Sequence, residues 1–139
     1  MAAPMRLLVV DDDVDFRLLL RHQLTHVAGL EVVADAADGF EALELVDALI
    51  PDCVVIDLMM PGMDGFELIG LLQQLATPPG MVAYSAMASG DVMQQDARLG
   101  VELLMKSGDH TALIEAIYRS VAVRPADGYG ATRVPNTVL

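Results

Sequence analysis

Three carboxylates in this 139-residue chain directly follow apolar segments. Asp11 and Asp12 come after the apolar run at 7–10, and Asp57 comes after the apolar run at 53–56. A carboxylate beside an apolar core is costly unless a partner neutralises it. Taken alone, the triplet at 11–13 fits a solvated loop, and Asp13 is predicted to cap the helix that follows. The alternative is a site in which a cation lies among these carboxylates.

Two further polar residues end apolar segments later in the chain. Ser85 follows the run at 81–84, and its hydroxyl can donate a hydrogen bond to an anion. Lys106 follows the run at 101–105 and is the only lysine among the eight basic residues. An ammonium group at such a position can pair with carboxylate or phosphate oxygens. These two residues therefore join the carboxylates as candidates for one site.

Alternating strands and helices would position these residues. Short aliphatic runs predict strands, and the amphipathic stretches between them predict helices. The predicted strands are 6–10, 31–35, 53–57, 81–85 and 101–105, and the predicted helices are 14–27, 39–49, 64–75, 90–99 and 109–122. Several strands are apolar on both faces, as in parallel sheets covered by helices. The pattern predicts an α/β protein with a doubly wound, five-stranded parallel sheet, (βα)5.

Caps and apolar stripes refine the predicted helices. Asp64 and Asp109 precede helical segments and are predicted to be N-caps. Leu19, Phe40 and Leu75 fall on the apolar stripes of the first three helices. We therefore expect these three apolar side chains to face the core.

Open α/β sheets bind ligands beyond the carboxyl ends of their strands, where the strand order reverses. If the first and third strands are neighbours, Asp11, Asp12 and Asp57 converge on one rim of the sheet. Three such groups cannot all ionise freely unless a cation neutralises them. Carboxylates together with a backbone carbonyl and waters form a hard-oxygen site that suits Mg²⁺.

Composition limits the classes of function. The length fits one domain at 1–123, and the Gly- and Pro-rich stretch 124–139 is predicted to be a linker or tail. A net charge of −12 argues against nucleic-acid binding by this domain itself. The single cysteine, Cys53, excludes a disulfide framework, and no run is long enough to span a membrane. The predicted location is the cytoplasm.

Four motifs together resemble the receiver domain of two-component response regulators, a flavodoxin-like fold. They are "VVDDD", "VIDLMMPGMDGFEL", "YSA" and "LGVELLMKSGD", and the resemblance covers residues 5 to 123. The stretches "EVVADAADGFEAL" and "KSGDHTALIEAI" are more similar to receivers of LuxR-type transcriptional regulators. The resemblance implies a phosphoprotein of phosphorelay signal transduction, whose partner is a histidine kinase or a phosphotransfer protein and which can form a homodimer on phosphorylation.

The resemblance also implies a role for each site residue. Asp57 would be the phosphoacceptor, and it would ligate Mg²⁺ together with Asp12 and the backbone carbonyl of Met59. Asp11 would act on the metal through a water molecule. Lys106 would contact the phosphoryl oxygens. Finally, the Ser85 hydroxyl would reach the phosphate once it is formed and so switch the conformation.

Four positions bear on how this chain differs from the family pattern. The frequent aromatic switch residue is replaced by Leu103, and the frequent proline after the lysine is Ser107. A cis peptide bond before Ser107 cannot be assumed without proline. Met59 and Met87 occupy the positions that tune phosphoryl lifetime in this family. Because neither side chain can orient a water, we expect slow self-dephosphorylation.

Alternative functions stay open at this stage. An aspartyl-nucleophile phosphatase needs a second aspartate two residues after Asp57, where this chain has Met59. A flavin- or nucleotide-binding protein needs glycines in the first loop, which here is acidic. A degenerate receiver would lack part of the five-residue set. The expected output is transcription through a DNA-binding domain beyond this chain. The alternative is a stand-alone receiver that docks to proteins. No enzymatic activity is expected beyond the domain's own phosphorylation and dephosphorylation.

Overall fold

A computed structural model describes residues 3–86, 100–106 and 110–122. In chain order the elements are β1 (Met5–Val10), α1 (Val14–Thr25), β2 (Leu30–Ala36), α2 (Gly39–Leu49), β3 (Cys53–Asp57), α3 (Gly65–Gln73), β4 (Gly80–Ser85), β5 (Glu102–Met105) and α4 (His110–Ala122). The predicted helix at 90–99, the predicted cap at Asp109 and the predicted domain boundary after residue 123 lie outside the described residues. The other predicted helices and all five predicted strands are present, with ends that differ by at most two residues.

The five strands form one parallel sheet in the order β2-β1-β3-β4-β5. The chain first adds β2 on one side of β1 and then continues with β3 on the other side. Strand order therefore reverses between β1 and β3, which is where doubly wound sheets bind ligands. The predicted fold class is confirmed, and Asp11 and Asp57 leave the two strands that flank this reversal.

Each strand alternates its side chains between two apolar layers. In β1, Leu7 and Val9 pack with α1 and α4, whereas Leu8 and Val10 pack with α2 and α3. Strand β3 divides in the same way, and all five of its residues are buried. Because both faces are covered, the central strands carry no polar alternation. In β1 and β3 the charged residues thus lie at or next to the strand ends.

Aspartates begin three of the helices. The Asp13 carboxylate accepts the backbone N–H groups of Asp15 and Phe16, so its predicted role as a cap is confirmed. The Asp64 carboxylate accepts the N–H of Glu67, whose side chain in turn accepts the N–H of Asp64. This capping box confirms the second predicted cap and fixes the start of α3.

The predicted core positions of three apolar side chains are wrong. Leu19, Phe40 and Leu75 are 49%, 66% and 40% exposed. Leu19 and Phe40 lie at the margins of their helical stripes, beyond the narrower strip that touches the sheet, and Leu75 follows the end of α3. No described helix has the length and apolar character needed to cross a membrane.

Candidate functional site

Four strand ends bring the candidate residues to one rim of the sheet. Asp11 directly follows β1, Asp57 ends β3, Ser85 ends β4, and Lys106 directly follows β5. Asp11, Asp57 and Ser85 are all buried. The backbone N–H of Lys106 donates to the carbonyl of Ser85 at 2.9 Å, which ties the last two strand ends together. The convergence expected from the sequence is therefore present in the structure.

Lys106 links two of the carboxylates. Its Nζ lies 2.8 Å from Asp11 Oδ2 and 3.3 Å from Asp57 Oδ2, and the side chain is only 14% exposed. Burial by itself lowers the pKa of the Lys106 ammonium, but the hydrogen bond to Asp11 and the charges of both carboxylates outweigh burial and raise it. The group therefore carries a fixed positive charge between the two strand ends.

The Asp11 carboxylate is surrounded by donors. Its Oδ1 accepts the backbone N–H of Asp13 at 2.8 Å, and its Oδ2 accepts the Tyr84 hydroxyl at 3.0 Å in addition to Lys106. On the main chain, Arg17 Nη1 donates to the Asp11 carbonyl at 2.7 Å. Asp11 is fully buried, so these contacts replace the water that it loses. The orientation of this carboxylate is fixed by the protein.

Asp57 has fewer donors than Asp11 and a perturbed acidity. Burial raises the pKa of the Asp57 carboxyl from 3.8 to about 6, and the charge of Asp11 adds to this. The N–H of Met59, which donates to Asp57 Oδ1 at 3.1 Å, and the Lys106 ammonium oppose the rise. At neutral pH the carboxylate is ionised although its surroundings disfavour the charge. A further cation beside it is therefore favoured.

Gly65 keeps the loop after β3 against the site. A Cβ at this position would lie 2.5 Å from the carbonyl oxygen of Asp57 and 2.6 Å from the Cα of Leu58. The N–H of Gly65 donates to the carbonyl of Leu58 at 3.1 Å. Only glycine permits this close approach of two backbones, so the "PGMDG" segment has a steric role beside Asp57.

Three carboxylates fit a divalent cation. Asp11, Asp12 and Asp57 each offer an oxygen, and the three oxygens lie within 4.8 Å of one another. Asp12 is exposed, while Asp11 is already engaged by three donors. The oxygens of Asp12 and Asp57 are thus the more available ligands. An all-oxygen set of this charge suits Mg²⁺.

The sequence analysis missed two aromatic residues at this site. The Lys106 ammonium lies 4.5 Å from the ring centroid of Phe16 and 5.0 Å from that of Tyr84. In the sequence Phe16 falls within the predicted helix 14–27 and Tyr84 within the predicted strand 81–85, and neither range points to the site. The available signal was the position of Tyr84, a phenol directly before Ser85 in an otherwise aliphatic strand.

Two of the four positions that differ from the family pattern lie within the described residues. Leu103 lies in β5, is partly buried and packs against the layer of α2 and α3. Ser107 and Met87 lie outside the described residues, so the structure does not test the peptide bond before Ser107. Met59 is 61% exposed at the mouth of the site.

A doubly wound sheet with an acidic rim at its strand reversal defines a class of α/β domains that bind ligands at that rim. Within this class, residues 7–118 match the family model for the response regulator receiver domain. The chain therefore belongs to the receiver domains of two-component response regulators.

Relatives of this chain differ in their overall length. It is 45% identical over 84 residues to protein-glutamate methylesterase/protein-glutamine glutaminase 5 of Myxococcus xanthus, a match covering 60% of this chain and 24% of that protein. It is 38% identical over 130 residues to an uncharacterized 14.6 kDa protein of Leptolyngbya boryana, covering 90% and 96%. The chain thus spans only 24% and 36% of the first two methylesterase relatives.

Solved receiver structures share the fold. The signal receiver domain of the putative response regulator NarL from Mycobacterium tuberculosis superposes with a TM-score of 0.80 at 29% identity, covering 87% of this chain and 98% of that one. A LuxR-family two-component response regulator from Aurantimonas sp. SI85-9A1 gives a TM-score of 0.78 at 29% identity, covering 86% of each.

Proposed function

We propose that this chain accepts a phosphoryl group on Asp57 from the phosphohistidine of a histidine kinase or phosphotransfer protein. The observation that supports this most directly is the position of Lys106, whose ammonium lies between Asp57 and Asp11 at the strand reversal. There it can meet the oxygens of a phosphoryl group that arrives at Asp57. A buried carboxylate beside a fixed cation is suited to nucleophilic attack on phosphorus.

In the proposed reaction an oxygen of Asp57 forms a bond to phosphorus and the P–N bond of the donor breaks. The electron pair of that bond leaves with the imidazole, and the product is an acyl phosphate. Lys106 binds the phosphoryl oxygens and offsets their charge. Asp12, Asp57 and the Met59 carbonyl, with Asp11 through a water molecule, would hold Mg²⁺, which would offset charge on the transferring group.

The proposed switch uses Ser85 and the neighbouring strand end. Ser85 is buried at the end of β4, the strand that pairs with the β3 strand that ends in Asp57. A hydrogen bond from the Ser85 hydroxyl to a phosphate on Asp57 favours one of two conformations. Because the Ser85 carbonyl also accepts the N–H of Lys106, the conformation of β4 and that of the residue after β5 are linked.

We further propose that the phosphorylated form is long-lived. The Met59 side chain is exposed beside Asp57 and has no group that orients an attacking water by hydrogen bonding. The thioether instead covers the acyl phosphate. The same argument from side-chain chemistry applies to Met87.

The proposed output is control of transcription through a DNA-binding domain outside these 139 residues, as in LuxR-type regulators. The similarity to the NarL and LuxR-family receivers supports it. In this proposal residues 1–123 are a cytoplasmic receiver, 124–139 are a linker, and phosphorylation promotes a homodimer. A stand-alone receiver is the second candidate, because the Leptolyngbya relative matches over 96% of its length. The gene's reading frame beyond Leu139 distinguishes the two outputs.

Enzymatic activity beyond self-phosphorylation and self-dephosphorylation is not part of the proposal. The methylesterase activity in the names of several relatives is a property of those longer proteins, of which this chain spans about a third or less in most cases. An aspartyl phosphatase would require an acid where Met59 stands, and Met59 has no proton to give.

The test is intact-protein mass spectrometry after incubation with acetyl phosphate and Mg²⁺. One phosphoryl group should appear in the wild type and should be absent from Asp57→Ala. The control Asp47→Ala removes an exposed carboxylate of α2 and should leave the adduct in place. If the wild type forms no adduct with acetyl phosphate or with a phosphorylated phosphotransfer protein, the proposed function is wrong.

A further inference from the structure

We propose that the Tyr84 hydroxyl is a positioning group of the phosphoryl-transfer site, which holds Asp11 in place while Lys106 moves to the phosphoryl oxygens. This inference rests on the proposed function. It concerns a residue that is not one of the three carboxylates and is neither Lys106 nor Ser85.

Asp11 Oδ2 carries two donors. The Tyr84 hydroxyl donates to this oxygen at 3.0 Å, and the Lys106 ammonium lies 2.8 Å from it. The ammonium also lies 3.3 Å from Asp57 Oδ2. Since Lys106 must turn towards a phosphoryl group on Asp57, it weakens or leaves its contact with Asp11. Among the described residues, the Tyr84 hydroxyl is the donor that remains on that oxygen.

Loss of Lys106 would otherwise leave a buried carboxylate oxygen without a partner. Asp11 is fully buried, and the cost of an unsatisfied buried acceptor is highest when it is charged. With Tyr84 present, Oδ2 keeps one donor, and the Asp13 N–H holds Oδ1 at 2.8 Å. The carboxylate then keeps its orientation throughout the transfer, and the release of Lys106 becomes less costly.

Tyr84 is itself held rigidly. It lies inside β4, where it pairs with Asp57 on one side and with Leu104 on the other, and it is 3% exposed. Its ring packs on Phe16, with centroids 5.3 Å apart and an interplanar angle of 30°. The ammonium of Lys106 lies near both rings. These rings support the cation while it exchanges partners, because cation–π attraction does not depend on one fixed donor direction.

Tyr84→Phe tests the inference, because it removes the hydroxyl and keeps the ring. The matched control is Tyr118→Phe, which removes a phenol that is 43% exposed on α4. Phosphorylation by acetyl phosphate at saturating Mg²⁺ is followed by intact mass. We expect the maximal rate of Tyr84→Phe to fall about tenfold, the effect of losing one hydrogen bond to a charged group. The half-saturating acetyl phosphate concentration should change less than twofold.

The results separate this inference from the proposed function. No adduct on the wild type overturns the proposed function, whereas an adduct formed at equal rates by the wild type and Tyr84→Phe overturns only the role of Tyr84. A merely structural role would lower the urea midpoint and would raise the half-saturating concentration while it lowers the rate, and that result also overturns the inference.

Tyrosine fluorescence provides a measurement that does not depend on the folding of Tyr84→Phe. The chain has no tryptophan and three tyrosines. In a Tyr118→Phe/Tyr129→Phe protein, Tyr84 is the only emitter, and a phenol that donates to a carboxylate is quenched. Adding Asp11→Asn should raise the emission. Unchanged emission would show that the hydroxyl does not engage Asp11, and the inference would then be wrong.

Discussion

Replacement of Asp57 by asparagine is expected to stabilise the folded protein at neutral pH in the absence of divalent cations. The Asp57 side chain is only 4% exposed, and its burial beside Asp11 disfavours the charged form. Asparagine has nearly the same shape, and its carbonyl oxygen can still accept the Met59 N–H. The ammonium of Lys106 keeps its 2.8 Å contact with Asp11. The substitution therefore removes an unfavourable charge and leaves the packing unchanged.

The magnitude follows from the pKa of the Asp57 carboxyl in the two states. It is 3.8 in an ordinary environment, taken here for the unfolded chain, and about 6 in the folded protein. At about 1.36 kcal/mol per unit of pKa, the difference between the two pKa values corresponds to about 3 kcal/mol. Because the folded state binds the proton more tightly, the stabilisation from this group is full below pH 3.8 and is lost as the pH rises through 6. The gain from Asp57→Asn should grow from less than about 1 kcal/mol at pH 4 to about 3 kcal/mol above pH 7.

Urea unfolding followed by circular dichroism, in EDTA and from pH 4 to 8, measures this gain. With slopes of about 1–3 kcal/mol per molar urea, the midpoint at pH 7.5 should rise by about 1–3 M. Asp47→Asn, which removes an exposed carboxylate of α2, is the matched control and should change the urea midpoint at pH 7.5 much less. A constant difference between Asp57→Asn and the wild type across the pH range would refute the reasoning, as would a loss of stability at pH 7.5.

Three further predictions concern the loop after β3. Gly65→Ala should destabilise the protein by about 1–3 kcal/mol, because its Cβ would meet the backbone of Asp57 at 2.5 Å. The control is Gly70→Ala, whose Cβ would have no heavy atom within 4 Å and which should stabilise α3 by about 0.5–1 kcal/mol. If Gly65→Ala and Gly70→Ala have similar effects on thermal unfolding, the steric argument is wrong. Asp64→Ala removes the capping box and should cost about 1 kcal/mol in urea unfolding, whereas no cost would contradict the cap. Met59→Asn should shorten the phosphoryl half-life measured by phosphate release, and an unchanged half-life would contradict the shielding role.

The site residues that could be predicted are those whose charge interrupts an apolar strand pattern. Both faces of β1 and β3 are buried, so a charged residue can stand only where the strand ends, and Asp11 and Asp57 mark those ends in the sequence. Lys106 was identifiable for the same reason and because it is the only lysine. The contacts of Lys106 with both carboxylates agree with the rim predicted from strand order.

The contact between Tyr84 and Asp11 could not be predicted in the same way. A buried strand reads as continuously apolar, and the position of Tyr84 gives its face but not the partner of its hydroxyl. That partner depends on the register between β3 and β4, which the sequence does not specify. The exposure of Leu19 and Phe40 has a similar cause, because periodicity gives the direction of a stripe and only tertiary packing decides its width.

The central place of β3 has a consequence for amide hydrogen exchange. Its five residues are buried, and it is bonded to β1 on one side and to β4 on the other. Its amides should therefore exchange only when the whole domain opens, and their protection should report the global free energy of unfolding. Strand β5, with four residues at the edge of the sheet and exposed ends, should exchange through smaller openings. Asp57 would then receive its phosphoryl group on the most rigid strand, and the response would be carried by the edge of the sheet that opens most readily.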